Sequence, residues 1–87
     1  MHVVIRGRVQ GVGFRWFVLE AARHAGLAGW VRNRHDGSVE LEAEGPAAAL
    51  DDFRQTVARG PSGAVVSSVD EVAVSTDALA QPFTIIR

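Results

Sequence analysis

Gly7-Arg8-Val9-Gln10-Gly11-Val12-Gly13-Phe14-Arg15 is where a strand-like run breaks at glycines and a helical run begins. Before the break, Val3, Val4, Ile5 and Val9 are β-branched and favour a strand. After it, Phe14, Phe17, Val18, Ala21, Ala22 and Ala25 recur at helical spacing. A strand therefore feeds a helix through a glycine turn. The helix start offers no Ser, Thr, Asp or Asn to satisfy its free N–H groups, and its first turn carries Arg15 instead of a carboxylate. A cation beside the positive end of a helix costs roughly 0.3–1 kcal/mol, and uncapped donors cost on the order of another 1 kcal/mol. An anion between them would satisfy both, so the stretch reads as an anion-holding loop, with phosphate the natural occupant.

Two familiar phosphate loops are excluded. The chain has no Lys, so it cannot be a P-loop, and Trp16 stands where a dinucleotide fingerprint needs its third glycine.

Working outward in the first strand, Val3, Ile5, Gly7 and Val9 share the face expected to meet the core, while His2, Val4, Arg6, Arg8 and Gln10 share the other. The helix should end at Arg23-His24-Ala25-Gly26, with Trp16 and Leu19 outside its apolar stripe. A second strand, Leu27 to Asn33, turns through Arg34-His35-Asp36-Gly37 into a third, Ser38 to Glu44. In the third strand Val39, Leu41 and Ala43 alternate with Glu40, Glu42 and Glu44. The glutamates are expected to face solvent and to pair with Arg6 and Arg8.

A second helix should begin with Pro46 at its first position, which is ordinary helix punctuation, bury Leu50, Phe53 and Val57, and stop at Arg59-Gly60-Pro61. A fourth strand is expected around Val69 to Val74, within Val65 to Ser75, and a short last one over Phe83 to Ile86. The order β-α-β-β-α-β predicts an α+β, ferredoxin-like split βαβ sandwich: two helices on one face of a mostly antiparallel sheet of four to five strands. The strand-to-helix loop is then expected at one sheet edge.

An 87-residue chain should form a single domain, residues 1–87, able to bury about 60% of its unfolded surface and to offer only a shallow site. Its net charge of −1 gives no sign of a nucleic-acid partner, and no run is long enough to span a membrane. The absence of cysteine excludes thiol catalysis, disulfides and thiolate metal sites. A strand beginning near Met1 leaves no room for a signal peptide, so the cytoplasm is the expected location. His2, His24 and His35 have no metal-ligand spacing and are expected to be surface or capping residues.

Together with Gly29-Trp30-Val31-Arg32-Asn33, Asp36-Gly37-Ser38-Val39-Glu40, Gly60-Pro61 and the closing Phe83-Thr84-Ile85-Ile86, the opening stretch strongly resembles the acylphosphatase family over essentially the whole chain. The resemblance implies a ferredoxin-like fold and hydrolysis of the carboxyl-phosphate bond of acyl phosphates, with no metal or cofactor. It carries the phosphate-binding arginine onto Arg15 and the water-orienting asparagine onto Asn33. It also implies that the loop amides of Gln10, Gly11, Val12, Gly13, Phe14 and Arg15 bind the phosphate oxygens.

The expected partner is a small-molecule acyl phosphate, with inorganic phosphate or sulfate as competing anions, and the chain is expected to act as a monomer. A non-enzymatic or accessory module, as found at the start of larger hydrogenase-maturation proteins, is the alternative reading; a chain opening on Met1 points instead to a stand-alone enzyme. RNA binding is disfavoured, because glutamates occupy the sheet face where stacking aromatics would be needed.

Overall fold

The structure is a computed structural model that describes residues 1–75 and 77–87. Seven elements follow in order: β1 (His2–Arg8), α1 (Phe14–His24), β2 (Ala28–Asn33), β3 (Val39–Glu44), α2 (Ala47–Arg59), β4 (Val65–Glu71) and β5 (Thr84–Ile85). The strands form one sheet in the order β4-β1-β3-β2-β5. All pairings are antiparallel except β2 with β5. This is the expected ferredoxin-like arrangement.

Alternation along the strands assigns the faces. Val3 and Ile5 of β1, Val31 of β2, and Val39, Leu41 and Ala43 of β3 are buried against Phe14, Val18, Leu19 and Ala22 of α1 and Phe53 and Val57 of α2. The α1 stripe is thus turned from the expected one. Leu19 is buried, whereas Phe17, Ala21 and Ala25 are only partly so. The cause is β5, which widens the sheet beside β2; Leu19 shares a hollow with Thr84 and Ile85. Trp16 does stay outside, 65% exposed. The end of α1 is as expected: Gly26 N–H bonds Arg23 O and Leu27 N–H bonds Ala22 O, the paired closure of a Schellman motif.

Pro46 is the cap of α2, not its first helical residue, and no side chain caps that helix either. Both helices thus start without a side-chain cap, although ordinary punctuation was expected of α2 alone, and the missing cap of α1 is not by itself distinctive. Strand β4 lies earlier than expected, because β1 seeks partners as far as Arg8, which pairs with Val65. β5 is confined to Thr84–Ile85.

The helix-free face corrects the solvated glutamate ladder. Only Glu44 is exposed; Glu42 is 3% exposed and its carboxylate accepts the Ser75 N–H at 2.6 Å. Glu40 accepts hydrogen bonds from His2 and Arg32, not from Arg6 or Arg8. The register explains this: β3 begins at Val39 opposite Ile5, so Arg6 and Arg8 lie beyond its end. Arg6 instead meets Asp36 and Asp70. The chain after β4 returns over this face, where His2 Nδ1 lies 2.7 Å from Ala73 O. His2 is thus half-buried and bonded, contrary to the surface role expected of it. Val4, on the same face, is buried too.

Candidate active site

Strand β1 lies inside the sheet, between β4 and β3, so the loop that follows it sits at the end of a central strand and not at a sheet edge. Val9 is buried and anchors the start of the loop. Gly11 and Gly13 then take φ of 76° and 77°, values a side chain disfavours, and Gly13 delivers the chain into α1. The first helical bond runs from Phe17 N–H to Gly13 O at 3.0 Å. The N–H groups of Phe14, Arg15 and Trp16 precede it and lack intrahelical acceptors. No side chain caps this end and no acid lies in the first turn. The start of α1 therefore offers free donors and the positive end of the helix dipole.

Arg15 is half-buried and has no ion-pair partner among the described residues. It lines a hollow with Trp16, Leu19, Arg23, Thr84 and Ile85. Arg23 is tied there by its Nε–H, which donates to Phe83 O at 2.9 Å.

Asn33 closes β2 and pairs with Val39. By alternation it shares the helix side of the sheet with Val31, while Arg32 points to the opposite face and meets Glu40. Its Oδ1 is buried without a hydrogen-bond partner among the described residues. The turn that follows does not use Asn33. Gly37 N–H donates to Arg34 O, and Asp36 Oδ1 accepts from the N–H and hydroxyl of Ser38. Those two bonds, aided by the charge of Arg34 and a hydrogen bond from Arg6, lower the Asp36 carboxyl to about 2. Asn33 lines a second hollow with Arg32, Arg34, His35, Asp36 and Arg87. Arg32 and Arg34 flank Asn33 in the sequence, whereas Arg87 arrives from the far end of the chain.

Arg15 and Asn33 thus line different hollows, and the residues from Gln10 to Phe14 line neither. What joins the two halves is the side chain of Gln10. Its Nε2 donates to Arg34 O at 2.7 Å and to Ser38 O at 2.9 Å, tying the loop to the hairpin turn beyond Asn33. Sequence reasoning counted only the backbone amide of Gln10; the side-chain role depends on a contact across 24 residues and left no local signal. A wider hollow lies between α1 and α2, and neither Arg15 nor Asn33 lines it.

The model of the acylphosphatase family matches residues 1–85. The chain belongs to the acylphosphatase family. Membership makes it a hydrolase of small-molecule acyl phosphates. An acylphosphatase of Chlorobaculum tepidum is 40% identical over 86 residues, covering 99% of this chain and 94% of that one. The crystal structure of an acylphosphatase from Bacillus subtilis superposes with a TM-score of 0.85 at 39% identity, over 99% of this chain and 96% of that one. A crystal structure of full-length HypF, in its phosphate- and nucleotide-bound form, is similar with a TM-score of 0.77 at 31% identity; 99% of this chain is covered but only 11% of that one. The acylphosphatase fold therefore also occurs as a small part of a much larger chain, while the C. tepidum relative is matched over nearly its whole length. No helix among the described residues is long and apolar enough to cross a membrane.

Proposed function

We propose that residues 1–87 act as one catalytic domain, and as a monomer, in which water oriented by Asn33 attacks a phosphoryl group held by Arg15 and the backbone amides of Gln10 to Arg15. The observation that carries this reading is Asn33. An asparagine at a strand end most often spends its side-chain oxygen on the following turn. Here Asp36 makes that bond, and the Asn33 oxygen is buried without one. An acceptor that no protein donor meets is available to a bound water.

The reaction asks little of general acid catalysis. The acyl group leaves as a carboxylate with pKa of about 4, so no proton need be delivered to it. Water oxygen forms the new bond to phosphorus, the bond from phosphorus to the acyl oxygen breaks, and the water's proton passes to the phosphate. Catalysis then rests on position and on charge. The Arg15 guanidinium is a planar fork suited to two phosphoryl oxygens, and the amides of the loop are preorganised donors for the third.

Hydrolysis of benzoyl phosphate by purified protein tests the assignment. Arg15→Ala should raise KM and lower kcat, since the phosphoryl group is held in both ground and transition states. Asn33→Ala should lower kcat by on the order of 10²–10³ with KM nearly unchanged. An Asn33→Ala protein that melts earlier but turns over like the parent would reduce Asn33 to a turn residue.

A further inference from the structure

We propose that Gln10 is a positioning residue whose side chain sets the distance between the phosphate-holding loop and Asn33. The inference rests on the assignment of Asn33 above and extends it to a residue that touches neither water nor phosphate through its side chain.

Both amide hydrogens of the Gln10 carboxamide are used. One goes to Arg34 O, directly after Asn33, and the other to Ser38 O, directly before Val39, the strand partner of Asn33. The bonds therefore bracket the mouth of the hairpin. Neither carbonyl depends on Gln10 for its satisfaction. Arg34 O also accepts from Gly37 N–H at 3.2 Å, and Ser38 O from Arg34 N–H at 2.9 Å. The turn closes with its own backbone bonds, so the Gln10 bonds are additional to those that make the hairpin.

What they add is a link between parts that the sheet alone does not couple. The last pair of β1 with β3 is Ile5 with Val39, and β1 then runs on to Arg8 beside β4. Beyond Ile5 the exposed Arg6–Asp36 ion pair links the end of β1 to the turn, and Gln10 links the loop itself to the hairpin. Arg15 stands on α1, which packs against β2, so it is the distance of the loop amides before α1 from Asn33 that depends on how the loop is held against the turn. An error of about 1 Å in such a separation can cost on the order of 10²-fold in rate.

Gln10→Met keeps the length and neutrality of the side chain and removes both donors. Its kcat on benzoyl phosphate should fall on the order of 10-fold to 10²-fold, with KM and the inhibition constant of inorganic phosphate nearly unchanged. In an Asn33→Ala background the same substitution should cost nothing further, because the residue it acts through is gone. The side-chain amide resonances of Asn33 should shift in Gln10→Met while the backbone amides of α1 keep their positions.

An unchanged kcat overturns the proposal, as does an equal loss in both backgrounds or a rise in KM that accounts for the whole loss. Wild-type turnover by Asn33→Ala would overturn the water assignment and this role with it. Additive losses alongside a slow Asn33→Ala would overturn the role of Gln10 only. Should Gln10→Met not fold, Gln10→Ala is read by the same criteria; failure of both to fold would make the bonds structural and overturn the proposal.

Discussion

His2 Nε2 lies 2.7 Å from Glu40 Oε2, joining the first residue of β1 to β3 on the helix-free face of the sheet. Arg32 donates to the other oxygen of the same carboxylate, at 2.9 Å from Nε and 2.7 Å from Nη2. His2 also packs edge-on to Trp30 with ring centroids 5.7 Å apart, and the Arg32 guanidinium lies 5.7 Å from the same ring. Glu40 is therefore the shared acceptor of a cluster that spans three strands. Glu40→Gln should lower unfolding stability by on the order of 1–3 kcal/mol, read by denaturant titration, because it leaves half-buried donors poorly matched. A double-mutant cycle with His2→Ala should show coupling; losses that add within about 0.5 kcal/mol would mean the contact contributes nothing.

Acid stability should depend on two carboxyls. Asp36 is lowered from 3.8 to about 2, chiefly by hydrogen bonds from Ser38. For Glu40, burial pushes the carboxyl up, but the hydrogen bonds and charges of His2 and Arg32 outweigh it and hold it below its ordinary 4.5. A carboxyl lowered by folding contributes stability above its unfolded value and loses it as pH falls through the folded one. For Asp36 that window runs from 3.8 down to about 2. Asp36→Asn keeps an acceptor for Ser38 but cannot titrate, so its stability should fall less steeply across this window than that of the parent. Equal slopes in denaturant titrations from pH 5 to pH 2 would count against the assignment.

Inorganic phosphate and sulfate should compete with benzoyl phosphate, given the free donors at the start of α1 and the Arg15 cation, which has no ion-pair partner among the described residues. Arg15→Ala should abolish this competition or raise the inhibition constant by on the order of 10-fold to 10²-fold in a protein that still melts cooperatively. An unchanged constant would place the anion elsewhere.

Hydrolysis should continue in excess EDTA. The described residues include no group of three or more His, Cys, Asp or Glu able to hold a metal ion, and the leaving carboxylate needs no Lewis acid to depart. Activity lost on chelation and restored by a divalent cation would sink the metal-free reaction.

The fold was legible because its signals are local. Glycines at 11, 13 and 26, the Asp36-Gly37 turn and the alternation of Val39, Leu41 and Ala43 with glutamates each act over a few residues. Leu19 and β4 were misjudged for one reason: each depends on a neighbouring strand. Leu19 lies beside Thr84 and Ile85 of β5, and the start of β4 pairs with the end of β1 at Arg8. The helix-cap contrast failed because Pro46 stands one position before α2 and leaves that helix uncapped too.

By itself, then, the sequence determined the order of elements, the apolar face that β1 and β3 turn to the helices and the glycine loop with Arg15 beside it, whereas Asn33 came forward only through the family resemblance. Period and punctuation encode the order, the face and the loop, and both are properties of neighbouring residues. Only the tertiary structure decided what the polar side chains do. Glu42 is buried under the returning chain at Ser75, Glu40 is held by His2 and Arg32, and Gln10 is spent on Arg34 and Ser38. A hydrogen-bond donor at the end of a flexible side chain can meet many acceptors, and which one it meets depends on strand register and loop path, quantities set by contacts far apart in the chain.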